Sequence, residues 1–325
     1  MGFKEIPPVP FSESLVDVAF KRASRRAKQL KARKKKGRVK ESELLRIGIV
    51  RDMLISRLDR IVDSFPKVDE LNEFYRKLIS EFIGIVELKK ALAAVRWARV
   101  KINNLFKEMN ALMKKAEESN QLRQLRRSFY GRVVSILEQI DGKLKFLEEA
   151  RKRFKRFPAV KELPTVAITG FPNVGKSTLL GKLSKSKPKV AAYPFTTKGI
   201  MVGYLVSDEK KIQVLDTPGT LNRPNKMNEI EKYAWLAMKY AADEIIYIFD
   251  PTEQYPFDEQ VKLYFRIKEL GKKMVVYVSK CDLISREEKE EFVKKIVKKV
   301  GKVKIFDGYS LEKLKEFLLK IFLRF

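Results

Sequence analysis

A β-branched run, Thr165-Val-Ala-Ile-Thr169, leads straight into Gly170-Phe171-Pro172-Asn173-Val174-Gly175-Lys176-Ser177. A strand that turns through glycines into a helix beginning Lys-Ser aims consecutive backbone N–H groups at an anion. The lysine adds a charge for the outer phosphates of a nucleotide, and the serine hydroxyl is a ligand for Mg²⁺. The Gly-x4-Gly-Lys-Ser spacing alone also arises by chance. Here it sits between a strand and a helix, with two further nucleotide-type segments in order behind it. Gly170, Pro172, Asn173, Val174, Gly175, Lys176, Ser177 and Thr178 are therefore expected to cradle phosphate.

The surrounding pattern agrees. Strands are expected over 165–169, 200–206, 211–216, 244–249, 273–279 and 302–306, with helices at 176–185, 228–241, 257–270, 286–299 and 309–323. The two strands joined by Ser207-Asp208-Glu209 read as a hairpin, and the rest as a doubly wound, mostly parallel α/β sheet with its ligand at the strand C-termini. Residues 12–157 read differently. Apolar residues recur every three or four positions over 41–64, 67–82, 85–113 (with one skipped turn at Arg99) and 122–147, which predicts long helices in an all-α bundle. Pro66 marks the break between the first two. The expected division is a proline-containing arm at 1–11, a basic helical bundle at 12–157 and the α/β domain at 158–325. Trp97, Trp235 and the aromatics on the helical stripes are expected in the core.

Asp216-Thr217-Pro218-Gly219 ends a strand forty residues after Lys176. A carboxylate there can hold Mg²⁺ through water, and the Gly219 N–H can meet a γ-phosphate. The run Val275-Val-Tyr-Val-Ser279-Lys280-Cys281-Asp282 supplies the base reader. A carboxylate at this strand end accepts both N1–H and the N2 amino group of guanine, whereas adenine would leave its charge unpaired. Asp282 thus points to GTP; the competing reading is an aspartate that caps the following helix. Between them lies Tyr193-Pro194-Phe195-Thr196-Thr197, where a threonine can give its hydroxyl to Mg²⁺ and its N–H to the γ-phosphate, or simply occupy a surface turn.

The net charge is +29, and residues 1–157 carry 39 Lys and Arg against 20 Asp and Glu. A surplus this large implies a polyanionic partner. Residues 21–40 hold twelve basic residues and no acid, so Lys21, Arg22, Arg25, Arg26, Lys28, Lys31, Arg33, Lys34, Lys35 and Lys36 are expected to neutralise RNA phosphates. Arg123, Arg126, Arg127, Arg132 and the run Arg151–Arg156 extend that surface. The basic run lacks an opposing Trp, Phe or Leu face, which argues against a membrane-lying helix. No apolar run is long enough to span a bilayer, and the single cysteine, Cys281, fits a reducing, cytoplasmic setting. Without histidine, catalysis must come from carboxylate, lysine, hydroxyl, backbone or a bound ion, and since the motifs offer no evident general base it is expected to rest on positioning and electrostatics.

Together these segments resemble the Obg-related branch of translation-factor-class GTPases. Ile6-Pro7-Pro8-Val9-Pro10, the basic helices and the bundle ahead of the GTPase domain are similar to the nucleolar GTP-binding protein 1 family, in a short archaeal-type form. The resemblance covers nearly the whole chain. It implies a GTP-hydrolysing factor in large-ribosomal-subunit assembly, bound to ribosomal RNA and pre-ribosomal particles beside other assembly factors and monomeric elsewhere. Thr197 would join Ser177 and Asp216 on Mg²⁺, with Lys176, Thr197 and Gly219 as the catalytic set and Ser279, Lys280 and Asp282 on the base. Three departures follow. Ser279 stands where the family has Asn, and Asp307-Gly308 where it has a Ser-Ala-like segment. Thr220 and Leu221 replace any water-orienting Gln, which implies slow intrinsic hydrolysis. Asn173 matches an asparagine that related GTPases use to hold K⁺. The rival readings are a GTPase acting on transfer RNA or another RNA, and a nucleotide-bound RNA-binding protein without turnover.

Overall fold

The computed structural model describes residues 3–33, 39–184, 189–190, 200–207, 210–219 and 227–322. They fall into two compact units, one of residues 2–72 and 79–155, the other of residues 73–78 and 156–325.

The first unit is helical: α1 (Ser12–Arg33), α2 (Val39–Ser64), the end of α3 (Glu73–Phe82), α4 (Ile85–Lys115), α5 (Ser119–Gln139) and α6 (Asp141–Phe154). α2 buries Ile47, Val50, Leu54, Leu58 and Ile61, and α4 buries Leu88, Ala91, Val95, Ala98, Ile102, Leu105, Met109 and Met113, each a helical stripe. Ala98 fills the turn that looks skipped at Arg99. The inner stripe of α1 is Leu15, Ala19, Ala23 and Ala27, all buried, so its many cations lie outside a narrow alanine seam. A helix whose buried face is alanine is easily missed when only large apolar residues are counted.

Four expectations change. The single helix expected over 122–147 breaks at Ile140, which stays buried while it ends α5 and opens α6. There the Asp141 carboxylate accepts from the Ser12 N–H (3.0 Å) and hydroxyl (2.7 Å), clasping the start of α1. The bond to the Lys145 ammonium, with those from Ser12, pulls the Asp141 carboxyl down to about 2. The helix expected from 67 begins at Glu73, after a 3₁₀ turn at Val68–Glu70. The last strand is Ile305–Asp307 rather than 302–306, because Gly301 at φ 85° ends the preceding helix and delays re-entry into the sheet. Trp97 is 40% exposed, because Ala98 beside it takes the inward position. Trp235 does pack against the core of the second unit.

The second unit is a seven-stranded sheet in the order β2-β3-β4-β1-β5-β6-β7. Its strands are β1 (Thr165–Thr169), β2 (Lys189–Val190), β3 (Met201–Ser207), β4 (Lys210–Asp216), β5 (Glu244–Phe249), β6 (Lys273–Val278) and β7 (Ile305–Asp307). β3 runs antiparallel to β2 and β4, whereas β4, β1, β5, β6 and β7 are parallel. Helices α7 (Lys176–Leu183), α8 (Glu229–Leu236), α9 (Phe257–Lys268), α10 (Arg286–Val300) and α11 (Leu311–Phe322) intervene. β1 and β5 are buried at every position, as central strands covered on both faces must be. A mostly parallel α/β P-loop fold thus follows an all-α domain. The buried Tyr75 hydroxyl donates to the Pro158 carbonyl (2.9 Å) and accepts from the Val160 N–H (2.9 Å), fixing the approach to β1.

Candidate functional site

The C-terminal ends of β1, β4 and β6 bring the expected residues to one side of the sheet. Between β1 and α7 the chain turns through Gly170 to Gly175. Gly175 is the N-cap of α7 at φ 92°, a conformation that a side chain would strain. The seven residues from Gly170 to Lys176 therefore fold back on themselves, and Val174 is buried beneath them while Asn173 (φ 62°) and Thr178 face outward. The Lys176 ammonium is buried in that turn and donates to the carbonyls of Phe171 (2.5 Å) and Gly170 (3.4 Å). Its charge is thus held at the mouth of a ring of amides, the arrangement a polyphosphate needs.

β4 pairs with β1 so that Ile168 lies opposite Asp216. That register sets Asp216 beside the first turn of α7, where its carboxylate accepts from the Ser177 hydroxyl at 2.5 Å. Burial raises the Asp216 pKa, while the Ser177 hydrogen bond and the Lys176 charge pull it back. Two hard oxygens meeting at a buried strand end fit Mg²⁺, which typically takes one or two protein oxygens and completes its shell with phosphate and water. The next residues fold over the phosphate loop. Thr217 is tied to the Ile168 carbonyl through its N–H (3.1 Å) and its hydroxyl (2.8 Å). Gly219 lies so close to Pro172 that an added Cβ would stand 2.6 Å from the proline Cα, so only glycine fits. Pro172, Lys176, Ser177, Asp216, Gly219 and Asn228 border an open cleft of about 650 Å³.

The base-reading segment lies past β6. Ser279 is buried, its N–H bonded to the Phe249 carbonyl (3.0 Å), and the Gly175 Cβ position is 3.6 Å from its own Cβ. Ser279 thus sits next to the phosphate loop, but its hydroxyl donates to the Phe249 carbonyl (3.3 Å). Lys280 adopts φ 51°, and Asp282 is exposed in the turn Cys281–Leu283. Asp282 does not cap α10: Ser285 does, in a capping box with Glu288. Asp307 is committed to its own turn, accepting from the N–H groups of Tyr309 and Ser310 and pairing with Lys289 at 2.7 Å. Those two N–H groups are therefore engaged within the protein.

Asp250 was not among the residues anticipated. At 1% exposure it directly follows β5, pairs with the Lys280 ammonium at 2.6 Å and accepts from the Thr252 hydroxyl and N–H. The Gln260 side chain clamps both backbone groups of Asp250. The legible signal was Phe249-Asp250-Pro251-Thr252 directly after a buried strand, on the side where ligands bind. Asn228 was also missed; it caps α8 with Glu231, an Asn-x-x-Glu box at the edge of the cleft.

Several anticipated cations are otherwise engaged. Arg151 is buried and bonded to Glu148 (2.6 and 2.7 Å), Arg126 pairs with the buried Glu43 (2.5 Å), and Arg132 meets Glu108 (3.4 Å). Arg126 ties α5 to α2, and Arg151 pairs within α6 with Glu148, whose carboxylate also accepts from the Val9 N–H (3.0 Å), so both are engaged inside the unit. Lys21 pairs with Asp17 (2.9 Å), whereas Arg22, Arg25, Arg26 and Lys28 are exposed on α1. Thr197 and the side chains of Lys31, Arg33, Lys34, Lys35 and Lys36 lie outside the described residues.

Comparison with known proteins decides the family. Residues 3–161 match the NOG1 N-terminal helical domain, and residues 165–280 match the 50S ribosome-binding GTPase family. An uncharacterized protein of Methanocaldococcus jannaschii is 38% identical over 291 residues, covering 88% of this chain and 82% of that one. The chain belongs to the nucleolar GTP-binding protein 1 family. The member from Eremothecium gossypii is 30% identical over 307 residues, covering 92% of this chain and 48% of its own. That from Saccharomyces cerevisiae is 29% identical over 310 residues, covering 93% and 48%. The chain thus spans about half the length of the named nucleolar GTP-binding proteins it matches. Membership makes it a P-loop protein of a GTP-binding family, and no described helix is long and apolar enough to cross a membrane.

Proposed function

We propose that this chain is a GTP-hydrolysing switch that acts in assembly of the large ribosomal subunit, holding ribosomal RNA through its helical unit. The observation that carries the nucleotide half is the meeting of Ser177 and Asp216 beside the buried Lys176 ammonium at the end of β1. The ribosomal half rests on the names of its relatives and on the basic surplus of residues 1–157. Amides of Gly170 to Gly175 and the Lys176 charge bind the phosphates, with Pro172, Val174 and Thr178 shaping the loop. Ser177, Thr197 and Asp216 hold Mg²⁺, which neutralises phosphate charge when bound. Gly219 meets the outer phosphate, and Ser279, Lys280 and Asp282 take the base. Catalysis is by positioning and field, and among the described residues of the cleft no side chain is placed as a base.

Measured GTP turnover should be slow in the wild type and fall to background in Lys176→Ala. Equal turnover in the two, with RNA binding retained, would leave a structural RNA-binding protein and remove the switch. Asn173, outward at the cleft, is proposed to hold K⁺ near the phosphates. Single-turnover hydrolysis should then run at least about tenfold faster in K⁺ than in Na⁺, a small share of what a cation can contribute to this chemistry. Equal rates in the two salts, with and without ribosomal particles, would remove the K⁺ role.

A further inference from the structure

Ion pairing decides where the charge surplus of the helical unit is available. Arg51 is paired with Asp52 (2.7 Å), Arg99 with Asp59 (2.5 Å), Arg126 with Glu43 and Arg151 with Glu148. Arg22 and Arg26 on α1 and Arg57 on α2 have no carboxylate partner among the described residues; Arg26 meets only the Gln29 amide, at 3.5 Å. These three arginines converge. With Ile49, Met53 and Ser56 they line one groove of about 350 Å³ between α1 and α2. The one acid on its wall, Asp52, is already neutralised by Arg51. The alanine seam of α1 makes this possible, because it brings α1 close to α2 and leaves Arg22 and Arg26, one turn apart, along the junction.

Beside this groove, between the same two helices, lies an apolar notch of about 60 Å³ that shares Met53 and Arg57 and includes Val18, which is 46% exposed. Guanidinium groups without carboxylate partners, next to an apolar ledge, match the two halves of an unpaired nucleotide: phosphate on the arginines, base face on Val18 and Met53 under the Arg57 plane. A duplex offers the phosphates but keeps its base faces stacked inside.

We infer that the α1–α2 groove is a site for a single-stranded RNA segment, with Arg22, Arg26 and Arg57 on its phosphates and Val18 and Met53 against one base. The inference rests on the reading of the helical unit as RNA-binding, and it adds the strand form and a residue, Arg57, outside the basic run. The test uses the full chain, an oligouridylate of about a dozen nucleotides and an RNA duplex of equal length, with anisotropy read at several salt concentrations. Arg57→Ala should weaken oligouridylate binding about fivefold or more and reduce the salt slope by about one. Val18→Gln, which leaves charge unchanged, should weaken oligouridylate binding while leaving duplex binding as it was. Wild-type binding that ignores both substitutions would overturn the groove but not RNA binding. Equal competition by oligoglutamate would also overturn it, in favour of an acidic peptide site. Wild type that binds neither RNA would overturn the RNA reading and the groove with it.

Discussion

Asp282→Asn should exchange preference for guanosine diphosphate for preference for xanthosine diphosphate. The wild-type carboxylate would accept from both N1–H and the N2 amino group of guanine. Asparagine keeps one acceptor but presents an NH₂ to that amino group, whereas xanthine offers a carbonyl there. Losing one charge-assisted bond and facing donor against donor costs about 3 kcal/mol, on the order of a hundredfold in affinity. The fold should not respond. Asp282 is exposed, Ser285 rather than Asp282 caps α10, and the turn is fixed by its neighbours, the buried Cys281 thiol donating to the Val278 carbonyl (3.4 Å) and Lys280 tied to Asp250. Competition binding with the two diphosphates reads the exchange, and an unchanged melting temperature verifies the fold. Retained guanosine preference would remove Asp282 from the base site.

Asp216→Asn should separate stability from function. Burial raises the pKa of Asp216, so the folded protein keeps this proton to a higher pH than the unfolded chain does. Across that window the folded state binds more protons, and the nucleotide-free protein loses stability as pH rises from the ordinary carboxylate range through the raised value. Asparagine does not titrate and can still accept from Ser177. The variant without nucleotide should therefore melt higher than wild type at neutral pH and lose this part of the pH dependence. Its affinity for Mg²⁺ with nucleotide should fall about ten- to a hundredfold, as expected when a positioned metal partner is removed. Thermal melts across pH, with and without Mg²⁺ and GDP, measure both effects. A variant less stable than wild type, yet still stabilised by Mg²⁺ and GDP, would show that Asp216 is a structural carboxylate.

The phosphate loop was readable because its geometry is local. A β-branched strand, glycines where the backbone must turn, and Lys-Ser at a helix start lie within thirteen consecutive residues. Strand and helix boundaries in the α/β unit mostly fell within two residues of expectation, since burial on both faces leaves continuous apolar runs. Where the reading slipped, a small or distant residue was responsible. Ala98 took the place anticipated for Trp97, and Asp141 ended a helical run by reaching back to Ser12.

Periodicity and loop chemistry thus suffice for two architectures in series, a helical bundle and a phosphate-binding α/β sheet, because both are written in residues a few positions apart. They do not say which charges are spent. Arg126 reads as a partner-binding cation, yet its carboxylate, Glu43, lies on a different helix, and Asp250 is thirty residues from the Lys280 it pairs with. Arg57 joined Arg22 and Arg26 only because α2 packs along the alanine seam of α1. Charge falls off over ångströms in space, not along the chain, so only the packing of helices and strands fixes which cations are neutralised and which still face a polyanion.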